Sequence, residues 1–65
     1  MPYVNIRIAG KATKEQKEKL YEGVTQLLAD VLDKKPSSTY VVIDEVDTDN
    51  WGVGGQSLTE IRKGL

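Results

Sequence analysis

The sequence contains no cysteine and no histidine among its 65 residues. The lack of cysteine excludes disulfide bonds, and the two absences together exclude metal sites built from thiolate or imidazole ligands. Carboxylate-only metal binding has no recognisable motif here, so we expect no metal. The same absences remove the side chain that most often acts as a base near neutral pH, and the usual thiol nucleophile.

The chain is short for a domain that folds alone. We expect a single domain over residues 1–65, and a chain of this size buries only about 60% of the surface that its unfolded form exposes. Small domains usually compensate with disulfides, a metal or partner subunits. Since disulfides are excluded and no metal motif is present, self-association is the expected remedy.

Charge and hydropathy exclude two classes of partner. Nine lysines and arginines face ten aspartates and glutamates, which gives a formal net charge of -1. Nucleic-acid binders usually carry a basic excess on one face. No segment approaches the roughly 20 apolar residues of a membrane span, and no signal-peptide core is present. We therefore expect a cytoplasmic protein with no nucleic-acid partner and no membrane partner.

The first half of the chain predicts a strand followed by a long helix. The segment YVNIRI alternates apolar and polar residues, as a half-buried strand does. Apolar residues then recur at helical spacing and predict a helix over 14–33. Thr13 is the predicted N-cap, because Gln16 stands three residues later as in a capping box. Pro36 marks the end of the helical segment.

The second half predicts another strand and a hairpin. The apolar run of TYVVIDEV is typical of a strand covered on both faces, and the three glycines of WGVGGQS favour a tight hairpin or an extended arm. The pattern leaves the state of the last segment, LTEIRKGL, open. The helix is long enough to cross over, so the two strands are predicted to be parallel with a right-handed connection. The expected fold class is α+β, with one sheet face that a second copy would cover.

Two further patterns have structural explanations. The GVGG segment lacks the lysine and the strand-before, helix-after context of a phosphate loop, so its expected role is backbone geometry. The acidic residues that follow the second strand lack the regular spacing of a calcium loop and predict a solvated turn; they are Asp44, Glu45, Asp47 and Asp49. Arg7 is expected to pair with a carboxylate across an interface.

Pro2 allows two interpretations. Proline is tolerated at the first residue of a strand and needs no further role there. Alternatively, removal of Met1 leaves Pro2 with a free amine, a group whose ordinary pKa is about 7.7–8.0. An apolar pocket or a nearby cation would lower that pKa and bring the base close to the working pH. If Met1 is retained, the Pro2 nitrogen is a tertiary amide without basicity.

Four segments together resemble the 4-oxalocrotonate tautomerase family: MPYVNIRI, EQKEKL, YVVIDEV and NWGVGG. The resemblance covers essentially the whole chain. It implies a β-α-β unit that pairs into dimers, with the dimers assembling into a homohexamer. It also implies a cofactor-free enzyme in which Pro2, as general base and then acid, moves a proton in an enol or dienol acid to give the keto acid. By the same resemblance, Trp51 lines an apolar pocket that keeps the pKa of Pro2 low.

The chain departs from that family's pattern at two positions. Family members that act on dicarboxylates use one arginine in the loop after the first strand and another early in the second strand. Here Lys11 and Tyr40 stand at these places, a point cation and an uncharged hydrogen-bond donor. Either another basic residue such as Arg7 or Arg62 replaces the second arginine, or the substrate is a monocarboxylate such as an aryl enolpyruvate rather than a 2-hydroxymuconate-like diacid.

Strand geometry adds a constraint on any active site. A strand over residues 2–8 extends roughly 20 Å, so Pro2 and Lys11 of one chain are predicted to lie near opposite ends of it. If both act on one small substrate, they come from different subunits. Tyr40 begins the parallel neighbouring strand and is expected at the Pro2 end. A competing hypothesis keeps the fold without the catalysis, as a small binding or assembly protein, and it is favoured if Met1 stays in place.

Overall fold

Two parallel strands form the central sheet of the protein in a computed structural model that describes residues 1–64. Strand β1 spans Tyr3–Ala9 and strand β2 spans Tyr40–Val46. The strands pair in register, with Tyr3 opposite Tyr40. The predicted parallel pairing is confirmed.

Helix α1 connects the two strands and spans Lys14–Leu32. Its start is fixed by the predicted capping box: the Gln16 backbone N–H donates to Thr13 Oγ1 at 3.1 Å, and the Thr13 N–H donates to Gln16 Oε1 at 2.9 Å. Its end is fixed by Asp33, which adopts a left-handed conformation with φ 55° and donates its N–H to the Ala29 carbonyl at 3.1 Å. The predicted helix bounds are therefore confirmed to within one residue.

The apolar layer between the sheet and α1 is thin. Its half-buried members are Val4, Ile6, Ile8, Val41 and Ile43 from the strands and Tyr21, Val24 and Leu28 from the helix. Within residues 1–64 no side chain is fully buried. The radius of gyration is 15.2 Å, whereas a compact domain of this length has a radius of about 11 Å. A single chain thus lacks a complete core, as the argument from size predicted.

The face of the sheet opposite α1 is open and partly apolar. Tyr3 is 62% exposed, Tyr40 51% and Val42 39%. In the middle of this face Asp44 accepts a hydrogen bond from Asn5 Nδ2 at 2.8 Å. We expect other copies of the chain to cover this face, because the burial of large apolar and aromatic surface lowers the free energy of the protein.

The residues after β2 form an arm of short elements. Strands β3 (Gly52–Val53) and β4 (Gln56–Ser57) pair as an antiparallel hairpin. Gly54 and Gly55 form its turn with φ values of 61° and 88°. Positive φ at both central residues is the requirement of a type I′ turn, so the glycine-rich segment serves backbone geometry, as predicted.

The last segment, left open by the sequence pattern, forms a helix within the described residues. Helix α2 spans Leu58–Lys63, and the Ser57 side chain caps it by accepting from the Glu60 backbone N–H at 3.2 Å. Serine followed three residues later by glutamate is the sequence signature of a helix start. That signal was present in SLTE, although the apolar pattern was too short to predict the helix.

Glu45 ties α1 and the preceding loop to β2. Its carboxylate accepts from Lys17 Nζ at 2.7 Å and from the Ala12 backbone N–H at 2.8 Å. The hydrogen bond from Lys17 is the main cause that lowers the pKa of Glu45 below its ordinary value of 4.5, and the bond from Ala12 acts in the same direction. Because the folded state favours the ionised carboxylate, it binds fewer protons than the unfolded state does.

Replacing Glu45 by glutamine is expected to lower stability in a pH-dependent way. The decrease in stability should reach its full size above about pH 5, where the unfolded carboxyl is ionised. It should become smaller as the pH falls through the lowered folded-state pKa of Glu45. Urea midpoints of wild type and Glu45→Gln between about pH 3 and pH 7 measure the difference. The exposed helix residue Glu22, changed to glutamine, is the matched control. A difference in urea midpoint between wild type and Glu45→Gln that stays constant over this pH range would contradict the stabilising role assigned to the hydrogen bonds of Glu45.

Candidate active site

Pro2 lies half-buried immediately before β1, at the end of the sheet where both strands begin. Its carbonyl accepts a hydrogen bond from the Tyr40 backbone N–H at 2.9 Å. The parallel register therefore places Pro2 beside Tyr40, whose side chain remains half exposed. The strand behind Pro2 provides a rigid mount for its ring.

Lys11 lies at the other end of the sheet, in the loop after β1. This loop begins at Gly10, which has a φ of 96° and donates its N–H to the Val46 carbonyl at 2.8 Å. Lys11 lines a depression of about 240 Å³ together with Glu45 and Asp47. Its positive charge therefore faces protein carboxylates within its own chain.

Trp51 also lies beyond the far end of the strands. It ends a short 3-10 turn, and its carbonyl accepts from the Leu58 backbone N–H at 2.7 Å. The half-buried Trp51 lines an open depression of about 470 Å³ whose other members are Arg7, Val46, Asn50 and Gly52. An aromatic side chain and a guanidinium thus share one depression, which is a combination suited to a small carboxylate with an apolar body.

Arg7 is a candidate that the sequence raised only as a replacement cation. Its guanidinium approaches Asp44 at 3.5 Å, with the two side chains 63% and 44% exposed. This contact lies within one chain, because Asp44 is opposite Arg7 in the register of the same sheet, and pairing of Arg7 across an interface stays a prediction. The neighbouring Trp51 could not be foreseen, since its position depends on the path of the chain after β2. The other candidate, Arg62, lies in the last turn of α2.

The candidate residues form two groups that one chain keeps apart. Pro2 and Tyr40 lie where the strands begin, and Lys11, Trp51 and Arg7 lie towards the end where the strands stop. The seven residues of β1 separate the two ends by roughly 20 Å. A small substrate cannot bridge that distance within one chain.

Asp47 and Asp49 lie exposed in the turn that follows β2, in agreement with the predicted solvated turn, and both also have hydrogen-bond partners there. Asp47 accepts from the Asp49 backbone N–H at 2.9 Å, and Asp49 accepts from the Thr59 hydroxyl.

Among residues 1–64 no group of three or more acidic side chains is arranged to hold a metal ion. In that same part of the chain, no helix combines the length and the apolar character needed to cross a membrane.

Comparison with known proteins decides the family. A family model described as tautomerase enzyme matches residues 2–61. A probable tautomerase from Dickeya dadantii is 61% identical over 64 residues, which cover 97% of this chain and 96% of the relative. The chain belongs to the 4-oxalocrotonate tautomerase family. This membership supports a tautomerase, that is an isomerase, activity for the chain.

Two solved structures agree with this chain in fold, and a further relative agrees in sequence. The crystal structure of DmpI from Helicobacter pylori is 43% identical, covers 95% of this chain and 97% of its own, and superposes with a TM-score of 0.86. A heterohexameric 4-oxalocrotonate tautomerase from Chloroflexus aurantiacus is 29% identical, with coverages of 95% and 100% and a TM-score of 0.83. A 2-hydroxymuconate tautomerase from Pseudomonas sp. is 32% identical over 97% of this chain and all of its own.

Proposed function

We propose that the chain is a cofactor-independent tautomerase that converts an enol or dienol carboxylic acid to the conjugated keto acid, with Pro2 as general base and then general acid. The observation that carries this proposal is that the family match begins at Pro2 itself and extends to residue 61. The relative named 2-hydroxymuconate tautomerase supports a 2-hydroxymuconate-like substrate. An aryl enolpyruvate is the alternative substrate class.

The proposed reaction needs a free amine on Pro2, and hence removal of Met1. The amine of Pro2 then takes a proton from the enol, and the resulting ammonium returns a proton to carbon as the carbonyl forms. A free α-amino group has an ordinary pKa of about 7.7–8.0, and partial burial disfavours its charged form. The hydrogen bond from Tyr40 to the Pro2 carbonyl supports the orientation of the ring. Neither histidine nor cysteine is available for this task.

We propose that the substrate carboxylate binds between subunits. Pro2 and Tyr40 of one copy would face Lys11 and Trp51 of other copies, since one chain holds these pairs at opposite ends of the sheet. Tyr40 can donate a hydrogen bond, and Lys11 supplies a point cation. A homohexamer built from dimers is the assembly that we propose, and the heterohexameric relative supports it.

Arg7 is the cation that we assign to a second carboxylate, where the substrate has one. Its guanidinium lies in the same depression as Trp51, and among residues 1–64 only an exposed ion pair with Asp44 holds it. Exposed pairs of this kind contribute only about 0–1 kcal/mol, so a substrate carboxylate can compete with Asp44. A guanidinium also offers the two-pronged donor that Lys11 lacks.

Turnover of 2-hydroxymuconate and of phenylenolpyruvate, followed by ultraviolet absorbance, tests the proposal. Protein whose intact mass shows that Met1 is absent should convert at least one of the two, and exhaustive dialysis against a chelator should leave the rate unchanged. Protein with a retained Met1 is the matched control and should be inactive. If folded, oligomeric, Met1-free protein converts neither substrate, the competing hypothesis of a binding or assembly protein is favoured.

A further inference from the structure

Three hydrogen-bonding side chains join the two sides of the arm near the point where it leaves β2. Thr48 and Asp49 belong to the short 3-10 turn that follows β2, and Thr59 lies in the first turn of α2. The hydroxyl oxygens of Thr48 and Thr59 are 2.6 Å apart, and the Thr59 hydroxyl donates to Asp49 Oδ1 at 2.5 Å. We call these three residues the threonine bridge.

Thr59 is the centre of the threonine bridge. A threonine hydroxyl has a single hydrogen, and an ionised carboxylate can only accept. Because Thr59 gives its hydrogen to Asp49, the hydrogen between the two threonines comes from Thr48. Both threonines are half-buried, and a hydrogen bond to a charged acceptor is stronger than one between neutral groups. Loss of the Thr59 hydroxyl therefore removes both hydrogen bonds of the bridge.

The threonine bridge joins the same two segments that hold the backbone of Trp51. The Trp51 N–H donates to the Thr48 carbonyl at 3.4 Å, and the Trp51 carbonyl accepts from the Leu58 N–H at 2.7 Å. The hairpin between these segments has strands of only two residues each, and a two-stranded hairpin is marginally stable alone. The position of Trp51 therefore depends on the contacts at the base of the arm.

The depression that contains Trp51 is formed jointly by the arm and the sheet. Asn50, Trp51 and Gly52 come from the arm, and Arg7 and Val46 come from the strands. A change at the base of the arm would move the first group relative to the second. Such a change would disturb the combination of indole and guanidinium that suits a small carboxylate with an apolar body.

We propose that Thr59 is a positioning residue that, through the threonine bridge, holds Trp51 in place beside Arg7. The depression is then formed before the substrate arrives, and a preformed site binds more tightly because less ordering accompanies binding. The effect on the substrate rests on the proposed function of Trp51 as a binding residue. The effect on the position of Trp51 does not, so the two can be tested separately.

Fluorescence tests the position of Trp51 without any substrate. Trp51 is the only tryptophan in the chain, so its emission reports on its own surroundings. In the Met1-free whole chain, Thr59→Val keeps the β-branched shape but removes both hydrogen bonds. We expect emission at longer wavelength and stronger quenching by acrylamide, and we expect Thr59→Ser, which keeps the hydroxyl, to restore both. Unchanged emission and quenching in Thr59→Val would overturn the positioning role, even if wild type converts neither proposed substrate.

Steady-state kinetics test the consequence for binding. The substrate is whichever of 2-hydroxymuconate and phenylenolpyruvate wild type converts. Thr59→Val should raise its KM by about fivefold or more and change kcat by less than about threefold, because a displaced Trp51 weakens binding in the ground state and the transition state alike. Thr59→Ser should return KM to within about twofold of wild type. A shifted emission with an unchanged KM would overturn the link between the threonine bridge and substrate binding.

Two further variants keep this test decisive. Sedimentation velocity and far-ultraviolet circular dichroism check that each variant folds and assembles. If Thr59→Val does not, Thr48→Val takes its place, because it removes only the bond between the threonines and should shift the emission in the same direction by a smaller amount. No shift in Thr48→Val would then overturn the proposal. Thr25→Val, the same replacement in α1 and outside the arm, is the matched control and should leave emission and KM unchanged.

Discussion

Replacing Pro2 by alanine in Met1-free protein should lower kcat/KM for the substrate that wild type converts by about 10²–10⁴-fold, the usual contribution of a positioned general acid–base group. Alanine retains an amine but loses the ring that restrains the nitrogen, and it gives the base a different orientation and basicity. Protein that retains Met1 should lose activity altogether, because the Pro2 nitrogen is then an amide. Initial rates by ultraviolet absorbance, with intact mass of each sample, measure both effects.

The chain offers a matched control for the Pro2 variant. Pro36, the only other proline, opens a 3-10 turn after α1 and is exposed. Pro36→Ala should therefore leave kcat/KM unchanged. The pH dependence of kcat/KM gives an independent check, because its acid limb should follow the protonation of the Pro2 amine and should move in Pro2→Ala. Equal rates for wild type and Pro2→Ala would end the proposed role of proline.

Two inactive variants should regain activity when their subunits are mixed. Pro2→Ala impairs the proposed base, and Lys11→Gln or Trp51→Ala removes the proposed binding group at the other end of the sheet. If each site takes Pro2 from one copy and Lys11 from another, random mixing of equal amounts gives about a quarter of sites with both groups intact. If each site belonged to one chain, every site in the mixture would still carry one defect.

Subunit exchange is the critical step in that experiment. The variants should be unfolded together in urea and refolded as a mixture, and a control should combine them only after separate refolding. Recovery of about a quarter of wild-type activity in the first sample alone supports the shared site. No recovery, with mixed oligomers confirmed by native mass, would mean that one chain builds its own site. That result would also contradict the separation of roughly 20 Å between the two groups.

Local sequence signals were sufficient for most of the fold. Thr13 and Gln16 marked the start of α1, and both capping bonds are present. The length of α1 required a crossover, and the resulting parallel pairing predicts Tyr40 beside Pro2. The handedness of the connection stays a prediction. Family membership was also evident from the residues, because the four resembling segments are spread over the whole chain.

The sequence pattern did not predict the contacts between segments that are far apart in the chain. The bond between Lys17 and Glu45 joins a helix residue to a strand residue 28 positions later, and nothing in either segment alone indicates it. The same is true of the depression shared by Arg7 and Trp51, which depends on how the chain turns after β2. The roles of the candidate site residues stay predictions for the same reason, since they depend on contacts between copies.

No side chain among residues 1–64 is fully buried, so an isolated copy of the chain should be only weakly stable. Folding and assembly become one concentration-dependent equilibrium, so the thermal midpoint should rise with protein concentration. Each newly synthesised copy must then find others before it is protected from proteases. The rate of synthesis, and not the sequence alone, therefore helps to decide how much of this protein persists.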